Sequence, residues 1–200
     1  FIELTFFAGW LITELDLVDF LTKFGKARDI VFGLAQPSVT VLHEGLVLLV
    51  QTIFLAFMAT AFAIPVAFVL AFPSARNLTR DSFVARLSYP VARTFMNFVR
   101  AVDPLVWALI FISWVGIGPF AGVLALWVHS VAALTKLYSE QIESIDSGPM
   151  DAITATGAGT LQVLRYGVVP QVIPPFLSFT IYRWDINVRM STIIGFVGGG

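Results

Sequence analysis

Hydrophobic positions along the chain gather into three long blocks separated by short polar connections. Between Leu46 and Phe72 there is no charged residue. At 1.5 Å rise per residue this block makes a helix of roughly 40 Å, longer than the ~30 Å hydrocarbon core of a bilayer. Pro65 lies inside it and predicts a kink, which membrane helices tolerate. The second block runs from about Phe95 to Leu134, with Arg100 and Asp103 near its start, and is too long for one crossing. The breaker run Gly116-Ile117-Gly118-Pro119 divides it. Two helices are expected, over about 95–115 and 119–138, joined by a tight turn. Pro119 suits the first helical turn, where its missing N–H costs nothing. The third block starts near Val168 and continues past Ile181. Pro170, Pro174 and Pro175 sit near its start, where proline does least harm. The pattern predicts an all-α, polytopic transmembrane helical bundle.

The first forty residues differ. Residues 1–44 hold six acids (Glu3, Glu14, Asp16, Asp19, Asp29, Glu44) against three bases (Lys23, Lys26, Arg28). Leu11 to Phe24 shows rough helical periodicity, as for a helix lying on a membrane surface. The expected organisation is therefore an extracytoplasmic or interfacial segment, 1–44, and a transmembrane domain, 45–200. The chain opens at Phe1 and stops at Gly200 inside a glycine run, which predicts that the domain is incomplete at both ends. At least one further membrane helix is expected beyond them.

Composition supports a lipid environment. Hydrophobic residues make up 58%, charged residues only 12%, and mean hydropathy is +0.86. A soluble domain carries about 25% charged residues, so charge this sparse cannot cover a soluble surface. The net charge of −1 argues against a nucleic-acid partner. With no cysteine, disulfides and thiolate metal sites are excluded, and His43 and His129 are too few and too far apart for a metal centre. His129, on an apolar helix, reads as a packing residue. No HExxH, G-x-S-x-G or His/Asp cluster is present, so no catalytic residue is assigned. No phosphate loop is present either, and Gly157-Ala158-Gly159 and Gly198–Gly200 read as turns, so no cofactor is expected.

Orientation follows from basic residues in short loops. The connection from Pro73 to Arg100 carries Arg76, Arg80, Arg86, Arg93 and Arg100 against Asp81 alone. This loop is expected in the cytoplasm, the acidic N-terminal stretch and the uncharged Gly116–Pro119 turn outside, and the segment 139–169 again in the cytoplasm.

That returning segment holds the candidate site. Gly148 and Pro149 predict an N-cap and first helical position. Asp151 falls in the expected first turn, where a carboxylate meets the positive end of the helix dipole. Gly157 can end the helix in a left-handed cap, and Thr160 can cap the helix that re-enters the membrane. A short helix over about 149–156 is expected.

The same residues resemble the EAA loop of bacterial binding-protein-dependent ABC importer permeases: Glu-Ala-Ala, three residues, Gly, nine residues, Ile-x-Leu-Pro. Asp151-Ala152-Ile153 takes the first place, Gly157 follows at the right distance, and Pro170 closes the pattern. Asp151 for Glu, Ile153 for Ala, Gly167 for Ile and Val169 for Leu are departures. The stretches GIGPFAGVLALWVHS, KLYSEQIESIDSGPMDAITATGA and YGVVPQVIPPFLSFTIYRWDINVRMSTIIGFVGGG are similar to the phosphonate-type permeases, over about residues 38–200. The resemblance implies a type I importer permease in the bacterial inner membrane, acting as a homodimer. It also implies two cytosolic ATPase subunits, an extracytoplasmic substrate-binding protein, and a phosphonate, phosphite or phosphate substrate. On this reading Asp151, Ala152, Gly157 and Pro170 couple the permease to the ATPase. A chain without a phosphate loop needs such an external motor, and a short rigid helix is a common docking element.

Charges continue into the last block at Tyr182-Arg183-Trp184-Asp185-Ile186-Asn187-Val188-Arg189. Arg183, Asn187 and Arg189 are the candidate substrate-path residues, because arginine forks match phosphoryl oxygens. For Arg189 the rival role is an i, i+4 ion pair with Asp185. For Arg183 it is a pair with Asp103 or another acid on a neighbouring helix, or snorkelling to the interface. The alternative function is an ion-coupled secondary transporter using Asp103 and Asp185 as relays.

Overall fold

The computed structural model describes residues 2–12, 25, 28, 32–33, 39–78 and 83–196. The chain divides into two compact units, residues 1–47 and 48–200. In the first, helix α1 spans Ile2–Ile12 and presents Ile2, Leu4, Phe6 and Phe7 outward. The surface helix expected over 11–24 falls almost wholly outside the described residues.

Helix α2 spans Val39–Ala71 and runs through Pro65 without interruption. Its packing is set by a stripe of alanines. Ala56, Ala59, Ala63, Ala67 and Ala71 recur at three- and four-residue spacing and are fully buried. Residues without side-chain bulk let helix backbones approach closely, the usual basis of helix association in lipid. Phe54, Phe57, Phe62, Phe68 and Val69 point the other way and are exposed.

The single helix expected over 95–115 is two. Helix α3 spans Phe83–Ala101 and helix α4 spans Pro104–Val115, and their directions differ by 87°. The break lies at Asp103-Pro104. Pro104 disfavours helix in the residue before it, and the Asp103 side chain accepts from the Leu105 backbone N–H at 2.8 Å, capping α4. Gly116, at φ +95°, ends α4. Helix α5 then spans Pro119–Glu143 with Pro119 in its first turn, five residues longer than expected.

The end of α5 is tied to the arginine-rich connection. Arg93 bonds Glu143 at 2.8 Å and Glu140 at 3.2 Å, the Arg76 backbone N–H donates to Glu143 at 2.7 Å, and Asn77 donates to the Ile142 carbonyl at 2.8 Å. Each half-exposed ion pair contributes only about 0.5 kcal/mol. Together they hold Arg76, Asn77 and Arg93 and the end of α5 at one end of the bundle. Most of the connection expected over 73–100 is helix α3, and Arg100, counted with it, lies in the last turn of α3, about two turns beyond Arg93.

Helix α6 spans Ser147–Ala155 and helix α7 Thr160–Val163. A wide π-helical turn over Leu164–Val168 leads into helix α8, Val169–Phe196. The core lies where the alanine stripe meets α5 and α8. Ala63, Ala67 and Ala71 pack with Val131, Leu134, Tyr138, Val172 and Phe176, and the Tyr138 and Phe176 rings stack with centroids 4.0 Å apart. Among the described residues there is no strand, and α2 and α5 are each long and apolar enough to span a membrane. Helix α8 is as long but carries Arg183, Asp185 and Arg189 within it.

Candidate functional site

The short helix α6 is built as a clipped-in unit. Its N-cap is Asp146, not Gly148: the carboxylate accepts from the Gly148 N–H at 3.0 Å, so the helix starts two residues earlier than expected. Asp is a stronger cap than Gly, and Gly148 is thereby the second helical position. Asp151 consequently lies beyond the first turn, and the dipole argument for it does not hold in this geometry. At the other end Thr156 is the C-cap, and Gly157 follows at φ +80° with its N–H donating to the Thr154 carbonyl at 3.0 Å. A Cβ at Gly157 would meet nothing within 4 Å, so the demand for glycine is purely conformational. The next helix is capped by Gly159 rather than Thr160. The Gln162 side chain reaches back to accept the Gly159 N–H at 2.9 Å, half of a capping box.

Two contacts fix α6 against the start of the re-entering helix. Gly167 is buried, and a Cβ there would lie 3.3 Å from the Met150 Cα and Cγ and 3.4 Å from Ile153 Cδ1. Only glycine lets the two backbones come this close without displacement. Gln171 then pairs with the backbone of Asp146 in both directions. Its Oε1 accepts from the Asp146 N–H at 3.0 Å, while its Nε2 donates to the Asp146 carbonyl at 3.1 Å and to the Gly167 carbonyl at 2.7 Å. The π turn accompanies Pro170, which has no N–H to give the preceding turn. With Met150 and Ile153 turned inward, Asp151, Ala152, Thr154 and Ala155 form the exposed face. Of the residues singled out in the sequence, Asp151 and Ala152 lie on that face, while Gly157 and Pro170 shape its ends. Asp146 and Gln171 were not identified beforehand, and Gly167 only as a departure from the family pattern. A capping rule applied to Asp146 would have found the first; nothing local marks Gln171.

The second cluster is a polar seam between α5 and α8. Arg183 is buried at 5% exposure. Its Nε donates to Ser130 Oγ at 3.1 Å and one terminal nitrogen donates to His129 Nδ1. Because the guanidinium can only donate, Nδ1 accepts, and His129 is the neutral tautomer with Nε2–H directed to the Arg100 carbonyl at 3.2 Å. His129 thus packs, as expected of it, but by linking three helices. Asn187 is fully buried. Its amide donates to Thr60 Oγ1 at 2.9 Å and to Ser130 Oγ at 2.7 Å, leaving its own Oδ1 without a partner. Further along, Tyr138 and Thr180 hydroxyls are 2.6 Å apart.

This arrangement changes the sequence reading of the path residues. Arg183 and Asn187 share a face, but that face turns into the seam, where Arg183 Nε, one terminal nitrogen of Arg183 and the Asn187 amide donate to neighbours within the protein. Among the described residues no carboxylate pairs with Arg183, so the proposed partner Asp103 is excluded; its carboxylate caps α4 instead. Arg189 is ion-paired with Asp185 on the exposed side of α8, the geometry of the rival role. No three metal-ligating side chains come together among the described residues.

Comparison with known proteins extends this picture. The profile of the family described as binding-protein-dependent transport system inner membrane component matches residues 63–200. A phosphite transport system permease protein of Stutzerimonas stutzeri is 36% identical over 193 residues, covering 96% of this chain and 69% of that protein. A phosphate-import permease protein of Mycolicibacterium smegmatis is 42% identical over 153 residues, 76% of this chain and 28% of that one. The chain spans only 52% of a further curated relative, at 41% identity. Among solved structures, an amino acid ABC transporter aligns with a TM-score of 0.63 at 22% identity, over 82% of this chain and 78% of the other. That likeness establishes the fold.

Proposed function

The chain belongs to the family of binding-protein-dependent transport system inner membrane components, and from that premise we propose that it is the membrane-spanning subunit of an ATP-driven importer for phosphite, phosphonate or phosphate. The substrate class rests on the names of the phosphite and phosphate relatives. Its partners on this reading are cytosolic ATPase subunits, an extracytoplasmic binding protein and a second permease copy, with lipid around the bundle. The polar seam, with Arg183 and Asn187, stiffens the wall of the path rather than touching the anion.

The observation that carries the reading is the clipped helix α6. A connecting loop needs no cap at each end, no glycine contact to the next helix and no bidentate side-chain pairing to its backbone. An element that must pass a push from a partner to the membrane helices needs all three, because a compliant element would absorb the displacement. The face containing Asp151 and Ala152 is the docking surface, and Gly167, Gln171 and Pro170 transmit its movement to α8.

The secondary-transporter alternative loses its residues: Asp103 caps a helix and Asp185 is ion-paired at the surface. Uptake by proteoliposomes containing the permease, its ATPase and its binding protein separates the two. Phosphite uptake is expected with ATP and with no ion gradient. Uptake driven by a gradient without ATP would reverse the assignment.

A further inference from the structure

Helix α3 carries a cation that the seam does not use. At 100° per residue, Arg93, Asn97 and Arg100 fall within an arc of about 60°, and Val91, Phe95 and Phe98 lie on the opposite side. Met96 and Val99 take a third face, buried against Ala132. Arg93 is engaged by Glu140 and Glu143. Asn97 and Arg100 are exposed, and among the described residues no carboxylate pairs with Arg100. Asp103, one turn on, has its carboxylate on the Leu105 N–H.

The depth of Arg100 gives this exposure its meaning. Its carbonyl is bonded to His129, which lies ten residues from Pro119 and fourteen from Glu143 in α5 (129 − 119 and 143 − 129). At 1.5 Å per residue those distances are about 15 Å and about 21 Å, so Arg100 sits near the middle of the membrane. A guanidinium facing hydrocarbon there is costly, and intramembrane arginines face protein or a water-filled cavity. Phe95 and Phe98 are the residues suited to lipid. We infer that the Asn97–Arg100 face of α3 lines an aqueous path and that Arg100 is a contact for the transported oxyanion. The choice of ligand rests on the importer reading above. A free guanidinium presents its fork to phosphoryl oxygens, and a single contact of this kind binds weakly enough to release. Arg183 and His129 are positioning residues: Arg183 orients His129, which holds the carbonyl of Arg100 beside the α3–α4 break.

The chain has no cysteine, so single cysteines report without background. In the assembled transporter in membrane vesicles, Asn97→Cys and Arg100→Cys are expected to react with a membrane-impermeant charged thiol reagent. Phe95→Cys and Phe98→Cys should react roughly tenfold more slowly or not at all, and phosphite should protect Asn97→Cys, in which Arg100 is intact. Phosphite uptake by Arg100→Gln should fall roughly tenfold or more, with partial recovery in Arg100→Lys. Equal reactivity at all four positions, or none at any, overturns the aqueous face. Normal phosphite uptake by Arg100→Gln overturns the anion contact. An unsubstituted transporter that imports none of phosphite, phosphonate or phosphate overturns the importer reading and the oxyanion contact with it. The labelling pattern judges the aqueous path independently.

Discussion

Two residues show how differently a single position can act here. Gly157 has open space around it and is required only for its positive φ. An alanine there costs about 1 kcal/mol of left-handed strain and a β-branched residue more. Gly157→Ala is therefore expected to slow ATP-driven uptake moderately and Gly157→Val to abolish it, with both proteins present in the membrane. ATP hydrolysis measured beside uptake checks this; normal uptake by Gly157→Val would remove the coupling assignment. Arg183 is the opposite case, a buried charge held by neutral groups. Arg183→Ala leaves His129 Nδ1 without its donor, removes one of the two donors to Ser130, and cuts a link between α5 and α8. It should lower the melting temperature of the purified complex and slow uptake, while leaving the affinity of the binding protein unchanged. Asn187→Ala should act in the same direction but more mildly. An Arg183→Ala complex that melts normally and yet fails to transport would return Arg183 to the substrate path.

At the scale of the element, α6 depends on neighbours distant in sequence. Gln171 makes three hydrogen bonds that hold Asp146 and Gly167, each contributing about 1 kcal/mol. Gln171→Ala should therefore speed amide hydrogen exchange across residues 146–157 without changing exchange in α5. Exchange that stays slow would show that the Met150–Gly167 contact alone suffices. Gly167→Leu attacks that contact directly. The added side chain meets the Met150 backbone, which cannot rotate away, and overpacking of this kind costs roughly 1–3 kcal/mol. Loss of ATPase co-purification with Gly167→Leu is the expected result.

At the scale of the molecule, the arrangement of arginines predicts which side each loop occupies. Cysteines at Ser82 and Ser147 should be labelled only from the cytoplasm and one at Ser38 only from outside. The ties from Arg76, Asn77 and Arg93 to the end of α5 already require the first two segments to lie together. Labelling of Ser147 from outside would invert the bundle and remove the docking face.

The sequence alone determined the two long apolar helices and the place of the short helix, and it yields an expectation for their sides, because these depend on local quantities: runs of apolar residues, the count of arginines per loop, and glycine or proline at a turn. Gly116, Pro119 and Gly157 act through their own backbone, so their effect could be read where they stand. What the tertiary structure decided were the pairings. Asp103 could have been a relay, an ion partner or a cap, and only the 87° break between α3 and α4 made it a cap. Arg183 and Asn187 share a face in any helix, but whether that face opens to a path or closes against Ser130 and Thr60 depends on how α2, α5 and α8 are laid together. Burial and hydrogen-bond partners are properties of that packing, and no spacing along one helix contains them.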